Sequence, residues 1–304
     1  MSNAPRQSKN ERRDAAREKA RQERVRQQKR EKRNRAVLQV SIGAVIIAIV
    51  AVVAVIIVNS VRPPGPGPAN MANGGITLEG PQLTAVRTPA AAASATPSPE
   101  ATSSDGKVRI QIFEDFACPY CKQFEDSNGP QVEELVKSGA AIVQYYPVAI
   151  LDRLYPDKYS TRAANAAAAV ANWSPNEWEA FHTRLYAIQP EEGVATSGPS
   201  DDQIIAVARQ VGVKNLDQVS QAVKDSRFDA WVTARTAEFT EKRGALQGAA
   251  LPPSWGGSTP TVLVNGQYYT GAPSDTAAFG AFVTSVGGTT GATPTPTPTP
   301  SASK

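Results

Sequence analysis

Cys118, Cys121 and His182 stand out first, because they are the only two cysteines and the only histidine in 304 residues. The cysteines sit in Phe113-Glu-Asp-Phe-Ala-Cys-Pro-Tyr-Cys-Lys-Gln-Phe124. Two thiols three positions apart can exchange a disulfide, with the first attacking and the second resolving the mixed disulfide. Such a small loop makes a weak structural staple, since disulfide stabilisation scales with the logarithm of loop length. A structural zinc site needs four ligands, and two cysteines with one histidine fall short. A third reading is a pair of inert buried thiols. The spacing and its setting favour redox chemistry.

The setting is a strand that gives way to a helix. Val108, Ile110 and Ile112 alternate with Arg109 and Gln111, the period of a short strand over 108–113. A helix follows from Lys122, with Phe124 as an early apolar contact. Cys118 then lies at a helix N-terminus, where unpaired N–H groups and the positive dipole end favour a thiolate. Pro119 suits the first turn because its missing N–H would have had no partner.

Charge and hydropathy place this element outside a cell. The first 35 residues hold 14 Lys/Arg against five acids, a local charge of +9 in a chain of +4. The rest of the chain is therefore acidic, at −5, and the high pI belongs to the arm. Residues 36–58 form a 23-residue apolar run broken only by Gln39 and Ser41. About 20 apolar residues span a bilayer, whereas a signal-peptide core has about 7–15. The expectation is an uncleaved single-pass anchor, with the arm (1–35) cytoplasmic and the remainder extracytoplasmic. The arm could also be read as a nucleic-acid tail, but its abutment on the anchor favours topology and contact with anionic lipid. Outside the membrane disulfides persist, so a lone Cys-x-x-Cys pair there suits disulfide exchange.

Residues 59–104, rich in Pro, Ala and Ser, read as a linker, with a short edge strand at Gly75–Leu78. The Thr-Pro repeats in 288–304 read as a disordered tail. Between them, 105–287 reads as one globular domain. Ala141–Tyr146 is a second strand closed by Pro147. A helical block over about 150–247 follows: an Ala-rich helix at Ala163–Ala171, then four amphipathic segments. Ser174-Pro-Asn-Glu177 reads as a capping box before Trp178, Phe181 and Leu185, and Ser200-Asp-Asp-Gln203 as another before Ile204, Val207 and Ala208. Val219, Ala222 and Val223 mark the third segment. Phe228, Trp231, Val232 and Phe239 mark the fourth, with Arg235 interrupting its apolar stripe. Thr261–Thr270 is a hairpin around Asn265-Gly266. A last helix carries Phe279, Phe282, Val283 and Val286.

Three motifs carry a resemblance: Glu-Asp-Phe-Ala-Cys-Pro-Tyr-Cys at 114–121, Phe-His-Thr-Arg-Leu-Tyr at 181–186, and Ser-Thr-Pro-Thr-Val-Leu-Val-Asn-Gly at 258–266. Over about 105–287 the chain resembles the thioredoxin superfamily, in particular its DsbA-like branch with a helical insert. The anchor and linker are similar to membrane-tethered actinobacterial members. The resemblance implies an α/β thioredoxin-like fold and a protein disulfide oxidoreductase that needs no organic cofactor. Oxidase is the first direction implied; reductase or isomerase is the second. It implies Cys118 as nucleophile, Cys121 as resolving thiol, and a cis Pro260 beside them, with Thr259 pairing to an extended substrate segment. Phe116 and Tyr120 are expected to contact unfolded chains, and Pro119 and Tyr120 to tune the potential. Partners implied are secreted cysteine-containing proteins and a membrane protein that resets the thiols.

Two departures bear on mechanism. Ile112 occupies the position where relatives often carry a buried acid, so no general base for Cys121 is named. Glu114 and Asp115 lie nearer the helix, and Asp115 reads as solvent-facing. Tyr120 replaces the His found in strongly oxidising relatives. His182, beside Phe181 and Leu185, reads as a packing or boundary histidine, and no metal site is expected. Trp255 fits either a groove wall or a core position. The competing functions are a thioredoxin-like module that carries metal or holds proteins, and a purely structural surface protein.

Overall fold

The computed structural model describes residues 65–92, 106–189 and 197–287, together with positions 21, 24, 26, 29, 30 and 95. The chain divides into Met1–Pro63 and Pro64–Lys304, and the second unit holds both cysteines. The expected anchor (36–58) and tail (288–304) lie outside the described residues, as does most of the basic arm. Among the described residues no helix is long and apolar enough to cross a membrane.

A six-stranded sheet forms the centre. Its strands are β1 (Ile76–Glu79), β2 (Thr84–Ala85), β3 (Val108–Glu114), β4 (Ala141–Pro147), β5 (Thr261–Val264) and β6 (Gln267–Tyr268), in the order β2-β1-β4-β3-β5-β6. β3 and β4 are parallel, joined through α1 (Pro119–Lys137) as a β-α-β unit; every other pairing is antiparallel. Between β4 and β5 the chain leaves for a helical block. It comprises α2 (Tyr159–Trp173), α3 (Trp178–Ala187), α4 (Asp201–Gln210), α5 (Leu216–Lys224) and α6 (Asp229–Thr240). After the hairpin, α7 (Thr276–Gly287) returns to pack beside α1. This is a thioredoxin-like α/β fold with a helical insert.

Both faces of the sheet are covered. Along β3 and β4 the period of two sends Ile110, Ile112, Val143 and Tyr145 into the main core, and Phe113 and Tyr146 into a smaller one with Phe239, Leu246 and Trp255. Phe113 and Tyr146 stack at 4.4 Å. The alanines of α2 are fully buried, and small side chains there let α3, α5 and α6 approach closely. Asn165 ties the block together: its Nδ2 donates to the Ala222 carbonyl at 3.2 Å and its Oδ1 accepts from Phe228 N at 2.8 Å.

The expected linker needs correction. Residues 65–92 belong to the folded unit, and β1 lies inside the sheet between β2 and β4 instead of at its edge. Ile76 and Leu78 are completely buried, because the alternation Ile-Thr-Leu gives β1 an apolar face that only the sheet can cover. The two expected capping boxes also part ways. At Ser200 both halves form. At Ser174 neither does: Pro175–Glu177 is a 3₁₀ turn, and the Ser174 hydroxyl instead accepts from Asn215 N at 3.1 Å. Arg235 stays on the buried stripe of α6 because Glu238, one turn on, pairs with it at 2.8 Å.

Candidate active site

β3 ends at Glu114, and the following turn delivers Cys118 as the N-cap of α1. Cys118 N donates to the Asp115 carbonyl at 2.9 Å, and the Cys118 carbonyl accepts from Cys121 N and Lys122 N at 3.1 and 3.2 Å. Pro119 opens the helix, so its lack of an N–H leaves no gap in the ladder. Both thiols are free. Cys118 keeps 4% of its surface and Cys121 keeps 3%.

From the other side comes the loop before β5. The Thr259–Pro260 peptide is cis. The Cys118 thiol donates to the Thr259 carbonyl at 3.3 Å. The Thr259 hydroxyl is buried with no hydrogen-bond partner of its own among the described residues, which leaves it available to a thiolate. Trp255 settles into the core and not the groove. It meets Phe239 edge-on at 5.1 Å and donates through Nε1 to the Thr261 hydroxyl at 2.8 Å, bracing the loop.

The two thiols differ sharply in acidity. Cys118 is pulled down to about 6: a hydrogen bond from Cys121 leads, burial opposes it, and the Thr259 side chain and the Cys121 and Tyr120 backbone assist. Cys121 is pushed well above its ordinary value, first by burial and then by its bond and charge interaction with Cys118. Near neutral pH the Cys118 thiol is therefore held largely as thiolate, while Cys121 keeps its proton.

Two depressions meet at Tyr120, Ser258 and Thr259, beside Cys118. A groove of about 780 Å³ runs past Cys118, Pro119, Tyr120, Leu151, Leu154 and Thr259. A second, of about 290 Å³, lies between Tyr120, Phe124, Pro260 and Tyr269. Tyr120 is 58% exposed and borders both. Phe116, expected at the surface, is fully buried against His182 and Tyr186, at 5.8 and 5.1 Å. The turn after β3 points it inward, so it does not line either depression.

The thioredoxin family profile matches residues 101–284. The chain belongs to the thioredoxin family. Within that family it is DsbA-like, and it carries the Cys-x-x-Cys pair of a thiol–disulfide oxidoreductase. DsbA of Mycobacterium tuberculosis is 29% identical, over 71% of this chain and 93% of that one, with a TM-score of 0.51. The disulfide bond oxidoreductase DsbG of the same organism, in its reduced form, is 32% identical over 64% of this chain and 86% of its own, at TM-score 0.50. A stretch of 160 residues is also 26% identical to the serine/threonine-protein kinase PknE of M. tuberculosis, and that match spans only 28% of the kinase.

This DsbA-like chain also contains polar groups that sequence reasoning placed wrongly. Asp115 is fully buried instead of solvent-facing: its carboxylate accepts from Ala117 N and Leu151 N at 2.8 and 2.9 Å. Burial pushes its carboxyl up to about 7, against the pull of those hydrogen bonds. Glu114 is buried too, with His182 Nε2 2.9 Å from Oε1 and 3.0 Å from Oε2. The Tyr186 hydroxyl donates to Oε2 at 3.2 Å. His182 is thus the partner of a buried acid. Burial works to lower its pKa, yet Glu114 and Glu125 outweigh that and hold it up at about 10. One signal was in the sequence: a glutamate on a strand covered on both faces needs a buried partner, and the chain's single histidine falls in a motif.

Proposed function

We propose that this protein is an extracytoplasmic, membrane-anchored thiol–disulfide oxidoreductase that works as an oxidase, donating disulfides to secreted proteins. The observation that carries the direction is the acidity of Cys118. A stabilised thiolate stabilises the dithiol form, and an enzyme whose reduced form is favoured is an oxidant.

The exchange follows from the two acidities. In the oxidised enzyme a substrate thiolate attacks Cys118 Sγ and the Cys118–Cys121 bond breaks. Cys121 leaves as thiolate and takes up a proton, as its raised pKa requires. The substrate's second thiolate then attacks the substrate sulfur of the mixed disulfide. Cys118 departs carrying the electron pair, and a low-pKa thiolate leaves faster. The substrate has lost two electrons and two protons; the enzyme holds both electrons as a dithiol. A membrane redox partner removes them. Thr259 and Tyr120, at the junction of the two depressions, are the residues that would hold an extended substrate segment, and Pro260 positions Thr259. The 23-residue apolar run behind a basic arm supports the anchor and its topology.

The test is the reduction potential of the Cys118–Cys121 pair in the full-length chain, equilibrated in graded glutathione buffers. The expected value lies between about −120 and −180 mV, the range of oxidants and isomerases. A value near about −270 mV would make it a reductase supplied with electrons through the membrane.

A further inference from the structure

Below the dithiol, Glu114, Glu125, Glu179 and His182 meet in one buried cluster, with 2, 6, 8 and 0% of their surfaces exposed. They come from three elements: the end of β3, the second turn of α1, and the first two turns of α3. Three carboxylates around a single imidazole make an expensive arrangement, since buried charge needs a partner of opposite sign. His182 Nε2 is spoken for by Glu114, whereas Nδ1 faces Glu125 Oε1 at 3.7 Å. Nδ1 and both oxygens of Glu179 have no hydrogen-bond partner among the described residues. Buried polar atoms are seldom left so, and a shared proton would not satisfy all three.

A cation would. One donor atom each from Glu125, Glu179 and His182 lies within 4.8 Å of the others. Donors bonded at about 2.1 Å to one tetrahedral ion stand ~3.4 Å apart, so the cluster needs to close by about an ångström. The supporting contacts are those of a metal site. A ligating histidine characteristically gives its other ring nitrogen to a carboxylate, and His182 does so with Glu114. Glu125 is oriented by the Thr183 hydroxyl, which donates to Oε1 at 2.9 Å. Gly129, one turn further along α1, leaves room for it, since a Cβ there would stand 3.0 Å from its carboxyl group. The two glutamates keep a little surface and His182 none, so the cluster opens at its carboxylate end.

We propose that Glu125, Glu179 and His182 bind one divalent transition-metal cation of the zinc type. Imidazole nitrogen with carboxylate oxygen suits zinc, whereas calcium and magnesium take oxygen ligands alone. The ion replaces the Nδ1 proton and fastens α3 of the insert to α1, the helix that carries the cysteines. Neither thiol belongs to the site, so it stands whether or not the dithiol is an oxidase.

The test uses the full-length, untagged chain with the Cys118–Cys121 disulfide formed, so that no thiol can ligate. After chelator treatment and its removal, Zn²⁺ is titrated by calorimetry. One equivalent binds at micromolar or lower concentration, and Glu179→Gln weakens it at least tenfold. The exposed control Glu134→Gln binds as the parent does. Co²⁺ added to the parent gives visible d–d absorption without a thiolate charge-transfer band, a reading independent of how any variant folds. No zinc uptake by the folded, oxidised parent, no cobalt spectrum, or undiminished binding by a folded Glu179→Gln would each overturn the proposal.

Discussion

At the scale of single residues, function turns on how differently two chemically identical thiols behave three positions apart. With Cys118 at about 6, roughly nine-tenths of it is ionised at pH 7, against about one-hundredth for a thiol at its ordinary value near 9. Alkylation of the reduced protein should therefore modify Cys118 alone, with a rate that rises with a midpoint near pH 6, while Cys121 reacts only on unfolding. Mass spectrometry of the labelled chain distinguishes the two; equal labelling at pH 7 would contradict the assignment. Thr259 is the second lever. Its hydroxyl reaches no other partner among the described residues, and a hydrogen bond to a charged group contributes about 1.5–3 kcal/mol. Replacing Thr259 with Val removes that donor while keeping the shape. The alkylation midpoint should move up by at least one pH unit, slowing the reaction at pH 7 about twofold or more. An unmoved midpoint would assign the acidity to the helix terminus and Cys121 alone.

At the scale of elements, the segment before the cysteines changes status. β1 joins the sheet through Leu78 opposite Val143 on β4, and Ala85 of β2 closes its other side. Leu78→Ala should cost about 2–5 kcal/mol, the ordinary range for a buried leucine, read as a lower denaturant midpoint of the full chain. A change within about 0.5 kcal/mol, typical of an exposed site, would return 65–92 to a linker. This element also shows where the sequence was legible. β3, α1, β4 and the Asn265-Gly266 hairpin announced themselves because periodicity and turn chemistry are local. Asn265 and Gly266 adopt φ of 47° and 79°, the positive values a tight turn demands. β1 is four residues between glycine- and proline-rich stretches, and only its long-range pairing with β4 makes it a strand. Phe116 failed similarly: an apolar residue beside a nucleophile looks like a substrate contact, and no local pattern says that the turn directs it at Tyr186. Asp115 was misplaced, and the burial of Glu114 and Glu179 went unseen, because burial of an acid is set by tertiary neighbours. The cysteine pair needed no such knowledge, since two thiols in 304 residues leave few arrangements to consider.

At the scale of the molecule, redox state and folding stability are one question. In the reduced protein the Cys118 thiol is lowered from about 9 to about 6 by the fold. Its contribution is fully present above the unfolded value, near 9, and is lost as pH falls through 6. Cys121, pushed upward, subtracts only where an unfolded thiol would ionise, at about 9 and beyond. Between pH 6 and 9 the reduced fold therefore gains stability that the oxidised fold, having no thiolate, does not share. Each tenfold in ionisation is worth about 1.4 kcal/mol, so the margin grows by about that amount per pH unit, reaching about 1.4 kcal/mol at pH 7. The same free energy counted through the redox couple is roughly 30 mV of added oxidising power. The four-residue disulfide ring adds a small term that does not vary with pH in this range. Melting the oxidised and reduced full-length protein side by side, with chelator present so that no bound cation contributes, should show the reduced form gaining on the oxidised form steadily from pH 6 to 8.5. A gap that stays flat would mean that the Cys118 thiolate does not drive this protein toward disulfide donation. Any oxidising potential found in glutathione buffers would then have to come from strain in the oxidised form.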